Sequence, residues 1–125
     1  MPNEARLGPN RFFGSQGLVP PEQIRIEGVG IHPLDRRRVD VAVDLTPCRQ
    51  AVRVELVIVG PDDAELCSTI LLNNRQWALD KVLHLRRDAQ PGQHILHIGV
   101  FAKDALVAHA ARSFFFALPE DGAGD

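Results

Sequence analysis

Apolar side chains recur at every second position along most of the chain. From Arg37 the run Arg-Arg-Val-Asp-Val-Ala-Val-Asp-Leu alternates, with Val39, Val41, Val43 and Leu45 on one face and Asp40, Ala42 and Asp44 on the other. That is the period of a half-buried strand. Val52, Val54, Leu56 and Ile58 form a second such face, opposite Arg53, Glu55, Val57 and Val59, and Gly60-Pro61-Asp62-Asp63 then supplies turn chemistry. Leu66, Ser68, Ile70 and Leu72 predict a third run with Ser68 facing inward and Cys67 outward. Leu79, Leu83 and Leu85 mark a fourth, Gln93 to Ala102 a fifth after Pro91-Gly92, and Ala105 to Phe116 a sixth after Lys103-Asp104. Upstream, Ile24 to His32 reads as another strand in which Gly28 shifts the phase, the signature of a bulge. Residues 103 to 112 are rich in Ala, but the two-residue period around them and the Phe cluster behind them favour a strand. The pattern predicts seven short strands and no lasting helical period, hence an all-β, antiparallel sandwich.

The ends differ from this middle. Residues 1–23 hold Pro2, Pro9, Pro20 and Pro21 without a period, which predicts an irregular N-terminal arm. Phe12, Phe13, Leu18 and Val19 make that arm apolar enough to lie along the domain. Residues 118–125 form an acidic, small-residue tail, leaving 24–117 as the domain. The composition, 45% hydrophobic and 24% charged, is that of a globular chain. With a formal charge of −2 there is no basic surplus to neutralise a phosphate backbone, so nucleic acid is not an expected partner. No apolar run is long enough to span a membrane, and Met1-Pro2-Asn3-Glu4 opens no secretory signal. A cytoplasmic location with free Cys48 and Cys67 thiols is therefore expected. Only Lys81 and Lys103 among the fourteen basic residues are lysines, a bias that suggests a GC-rich bacterial source.

Residues 85–100, Leu-Arg-Arg-Asp-Ala-Gln-Pro-Gly-Gln-His-Ile-Leu-His-Ile-Gly-Val, resemble the corner between strands E and F of immunoglobulin-like and fibronectin type III-like sandwiches. His94 stands where those domains place a Tyr whose hydroxyl bonds an upstream backbone carbonyl. Residues 52–72 look like their strands C and C′, and the resemblance covers about residues 24–117. It implies a seven-stranded immunoglobulin-like sandwich with strands C, F and G as neighbours, and a corner role for His94. The Cys pair on strands B and F and the Trp on strand C are missing, since Trp77 precedes strand E instead. The resemblance thus implies a scaffold rather than antibody-type membership, and such a scaffold hosts many functions.

Candidate chemistry is sparse. Of His32, His84, His94, His97 and His109, the pair His94 and His97 point to opposite faces. His97 and His109 fall on neighbouring strands, without a carboxylate at ligand spacing, so no metal is expected. None of Ser15, Ser68 and Ser113 lies in a Gly-x-Ser-x-Gly turn, and Glu65 beside Cys67 disfavours its thiolate. The Asp62-Asp63 pair sits at a hairpin tip, where no burial raises a carboxyl pKa. Gly28-Val29-Gly30 lacks the third glycine and the helix of a dinucleotide loop, and Arg36-Arg37-Arg38 reads as a solvated edge. Neither an enzyme nor a cofactor is expected.

What stands out is apolar surplus on the outward phase. If Val54, Leu56, Leu96 and Ile98 face the core, then Val57, Val59, Ile95 and Phe101 do not, and either Phe115 or the pair Phe114 and Phe116 joins them. A contiguous apolar patch is uncommon on a monomer. The expectation is a non-catalytic interaction or structural module, self-associating as a homodimer through the outer face of strands C, F and G, unless the arm covers that face. The alternative is a sandwich that binds a carbohydrate or small molecule. A chain with no Tyr and one Trp has little of the aromatic platform this requires.

Overall fold

The computed structural model describes residues 17–116. Seven strands follow in order: β1 (Ile26–Asp35), β2 (Arg38–Leu45), β3 (Val52–Val59), β4 (Glu65–Asn74), β5 (Ala78–His84), β6 (Gly92–Ala102) and β7 (Ala105–Phe116). They form an antiparallel sandwich of a three-stranded sheet, β1-β2-β5, and a four-stranded sheet, β4-β3-β6-β7. The Ala-rich stretch is the body of β7, and β3, β6 and β7 are neighbours.

Alternation explains the core. Val39, Val41, Val43 and Leu45 of β2 meet Val52, Val54, Leu56 and Ile58 of β3 and Leu96, Ile98 and Val100 of β6, all at most 2% exposed. Each of these side chains contributes roughly 1.5–3 kcal/mol by leaving water. Both cysteines are free and buried, so packing rather than a disulfide joins the sheets. Of the arm, Val19 pairs in parallel with Cys48 and packs on the core, and a single 3-10 turn, Pro21–Gln23, leads into buried Ile24. Phe12, Phe13 and the 118–125 tail lie outside the described residues.

Two irregularities shape the faces. The β1–β2 register shifts between Ile26 and Gly28, the bulge that the phase change at Gly28 predicts. A second shift falls where Ile58 faces Cys67 while Val59 faces Glu65, leaving Leu66 as the extra residue. An extra residue slips the period by one. Leu66 and Cys67 are therefore both buried, and Ser68 turns outward. This corrects the expectation of an inward Ser68 and outward Cys67, and it leaves Ile70 and Leu72 exposed at 55% and 70%.

Candidate functional site

Of the residues singled out above, His94 lies deepest. Pro91 and Gly92 turn the chain into β6, where Gly92 adopts φ +132° with Pro61 of the β3–β4 hairpin against its Cα. His94 follows on the inward phase, fully buried, and its Nδ1 lies 3.0 Å from the Gly92 carbonyl oxygen. A carbonyl only accepts, so Nδ1 carries the proton and donates. The Nε2 atom has no partner among the described residues, and the ring instead touches Phe114 and Phe116, with centroids 5.6 and 4.9 Å away. Phe116 is buried and Phe114 half-buried, so of the three consecutive phenylalanines Phe115 is the outward one, 66% exposed.

The five interface candidates share one sheet face but not one patch. Val59 pairs with Ile95, Val57 is two residues further along β3, and Phe115 is diagonal to Ile95 through the Ile95–Ser113 pair. Val57 and Val59 are half-buried and Ile95 is 36% exposed. These four make an apolar stripe at one end of the sheet. Phe101 sits six residues beyond Ile95 on the same strand, roughly 20 Å away. It closes over Gly99 and beneath the Arg53 guanidinium, whose carbon is 4.3 Å from the ring centroid. Exposed Leu72 and Leu106 gather at that second end, which the slipped period of β4 hid from the sequence pattern.

Between the two ends the face is polar. His97 and His109 stack at 6.1 Å, and Glu55 holds Arg53 at 3.0 Å. Among the described residues no third ligand-type side chain joins the histidine pair. On the opposite sheet Asp40 and Asp80 sit together with His32 across from Asp40. The Asp80 carboxyl holds the Asp40 pKa above the ordinary carboxylate value. The Arg36-Arg37-Arg38 run forms the β1–β2 turn, and it is not a bare solvated edge. There Arg37 Nε donates to the Leu85 carbonyl and Arg38 pairs with Asp35 at 2.8 Å.

β7 is an edge strand, and a trough of about 500 Å³ runs beside it, between Ile24–Ile26 and residues 107–112. Arg25 and Arg112 both line it. No helix among the described residues is long and apolar enough to cross a membrane.

No family model matches the chain, and no curated protein matches it. Solved structures share its fold. A Bifidobacterium dentium β-glucuronidase complexed with coumarin-3-O-glucuronide superposes with TM-score 0.60 at 10% identity over 74% of this chain and 18% of its own. A Parabacteroides merdae β-glucuronidase with glycerol in its active site gives 0.60 at 12% identity over 75% and 13%. A glycosyl hydrolase family 2 member from Bacteroides cellulosilyticus gives 0.55 at 13% identity over 74% and 15%. The chain thus spans less than a fifth of the length of these proteins, and at such identities the likeness is one of fold.

Proposed function

We propose that the chain is a non-catalytic protein-interaction module that associates with a second copy through the stripe formed by Val57, Val59, Ile95 and Phe115. The observation that carries this reading is Phe115, a phenyl ring 66% exposed and diagonal to Ile95 on the outer sheet face. A two-fold interface would use this stripe on both copies, apolar surface against apolar surface. The non-catalytic part draws support from the sparse chemistry of this sandwich, in which no third ligand-type side chain joins the His97–His109 pair among the described residues. A carbohydrate-binding reading draws only on what the enzymes of like fold are named for. The one Trp, Trp77, is half-buried against the core rather than presented as a platform.

Light scattering tests the proposal. The native protein is expected at twice its 13.8 kDa chain mass. Phe115→Asp, which places two carboxylates in the joint interface, should return the mass to a single chain while the strand signal in circular dichroism persists. A monomeric native protein, or a Phe115→Asp variant that stays dimeric, would overturn the reading.

A further inference from the structure

We infer that the free edge of β7 is a docking site for an extended peptide segment, which adds as a further strand and places a carboxylate opposite Arg112. This surface is separate from the outward stripe and does not depend on it.

The backbone comes first. Among the described residues β7 pairs with β6 alone, so one side of a strand running from Ala105 to Phe116 has no partner strand, and the Ala111 carbonyl accepts from the Arg112 guanidinium, at 3.1 Å. An exposed edge is a template for another strand, and strand addition is a recurring mode of peptide capture. The neighbouring trough has room for a peptide's alternate side chains, at about 500 Å³.

Its chemistry has a direction. Ala108 and Ala110 pair with buried Val100 and Ile98, so both lie on the core-facing side of β7, and their small side chains leave the floor open beside buried Ile24. Arg112 belongs to the same row, opposite fully buried Leu96. Yet Arg112 is exposed and lines the trough. Arg25 stands on the facing wall. In a chain whose acidic residues outnumber its basic ones, 16 to 14, no Asp or Glu lines this trough. Among the described residues no carboxylate pairs with either guanidinium. Beyond Val107 the hollow continues past Glu22 and Glu27, so negative charge is favoured at the Arg112 end only. A second copy docking through the same edge would bring its own Arg25 and Arg112 to a place already positively charged. A carboxylate-bearing strand answers both the open backbone and a guanidinium, Arg112, that no carboxylate pairs with and that can exchange its bond to the Ala111 carbonyl for a charged acceptor.

The test uses three fluorescein-labelled eight-residue probes at low salt, read by anisotropy: alternating Val and Asp, alternating Val and Lys, and the Val–Asp peptide N-methylated at every second amide. The Val–Asp probe should bind saturably and at least tenfold more tightly than the Val–Lys probe. N-methylation should abolish binding, since it removes strand donors without changing charge. Arg112→Glu should invert the preference, whereas Arg75→Glu, an exposed arginine away from the trough, should leave it unchanged. Hydrogen exchange at residues 107–112 should slow when the Val–Asp probe is added. Equal affinity for the two charges, undiminished binding of the N-methylated probe, or indifference to Arg112→Glu would each overturn the inference. So would amides at 107–112 that are already protected in a dimer without peptide, which would show a second copy on this edge.

Discussion

At His94 two opposing terms meet in one ring. The Nδ1 proton is bonded to the Gly92 carbonyl, while Nε2 is buried against Phe114 and Phe116 with no donor among the described residues. An unanswered buried acceptor costs about 1–3 kcal/mol, comparable to what the made bond contributes. His94→Ala loses bond and packing together and should cost about 2–4 kcal/mol in chemical denaturation. His94→Phe keeps the packing and deletes both polar atoms, so it should stay within about 1 kcal/mol of the native protein. An alanine variant as stable as the native protein would remove His94 from the corner. Asp40 and Asp80 test charge instead of packing. Because Asp80 raises the Asp40 pKa, the folded state holds that proton more tightly than the unfolded chain does, and the ionised pair opposes folding above that raised value. Asp80→Asn should therefore raise the thermal midpoint at pH 7, and the gain should fade as the pH drops through the raised Asp40 pKa. Asp35 and Asp62 run the other way. The backbone N–H groups of Arg37 and Ala64, followed by the Arg38 and Arg87 side chains, hold their carboxyls below the ordinary value. Their contribution is present at neutral pH and is lost as pH falls through those lowered values.

Strands were the most legible part of the chain, because period 2 needs only a few side chains to show. Ala105–Phe116 shows this: its alanines suit a helix, but burial of Phe116 and the pairing with β6 settle it as strand. What the pattern could not show was register. Leu66 of β4 is an inserted residue, and from there a true alternation continues on the opposite phase, so Ser68 and Cys67 exchange sides. Nothing in Glu65–Leu72 flags the slip, since Leu66, Ile70 and Leu72 alternate without a break. The five candidate surface residues share one sheet face, and the six-residue distance from Ile95 to Phe101 along β6 is legible in the sequence, whereas the pairing that brings Phe115 beside Ile95 is not. Edge strands carry a further device. Lys81 is opposite buried Val41 on β5, an inward-phase charge on a sheet margin. Such a charge makes edge-to-edge stacking costly. Lys81→Val should leave the fold intact and increase scattering on heating at concentrations where the native protein stays clear. Unchanged scattering would mean that Lys81 does not guard that edge.

Across the whole molecule, five arginines, Arg36, Arg37, Arg38, Arg86 and Arg87, gather at one pole. Arg86 pairs with Glu65 at 2.9 Å, Arg87 with Asp62 at 2.7 Å, and Arg37 reaches both the Leu85 carbonyl and Asp88. Half-exposed pairs contribute at most about 1 kcal/mol each, so they orient the β5–β6 loop more than they hold the fold. This pole lay outside what the sequence could disclose, because Arg37 meets the Leu85 and Arg86 carbonyls some fifty positions later in the chain. The chain enters the described structure at the other pole, where Val19 lies against Pro47 and Cys48, and leaves it at Phe116, opposite Gly92 and close to the arginines. The two ends of the described chain therefore lie at opposite ends of the sandwich. A pull applied at Gly17 and Phe116 runs along the strands, and antiparallel hydrogen bonds lie across them. The β6–β7 ladder, paired from Gly92–Phe116 to Ala102–Ala105, would then be loaded in shear along its whole length rather than opened one rung at a time.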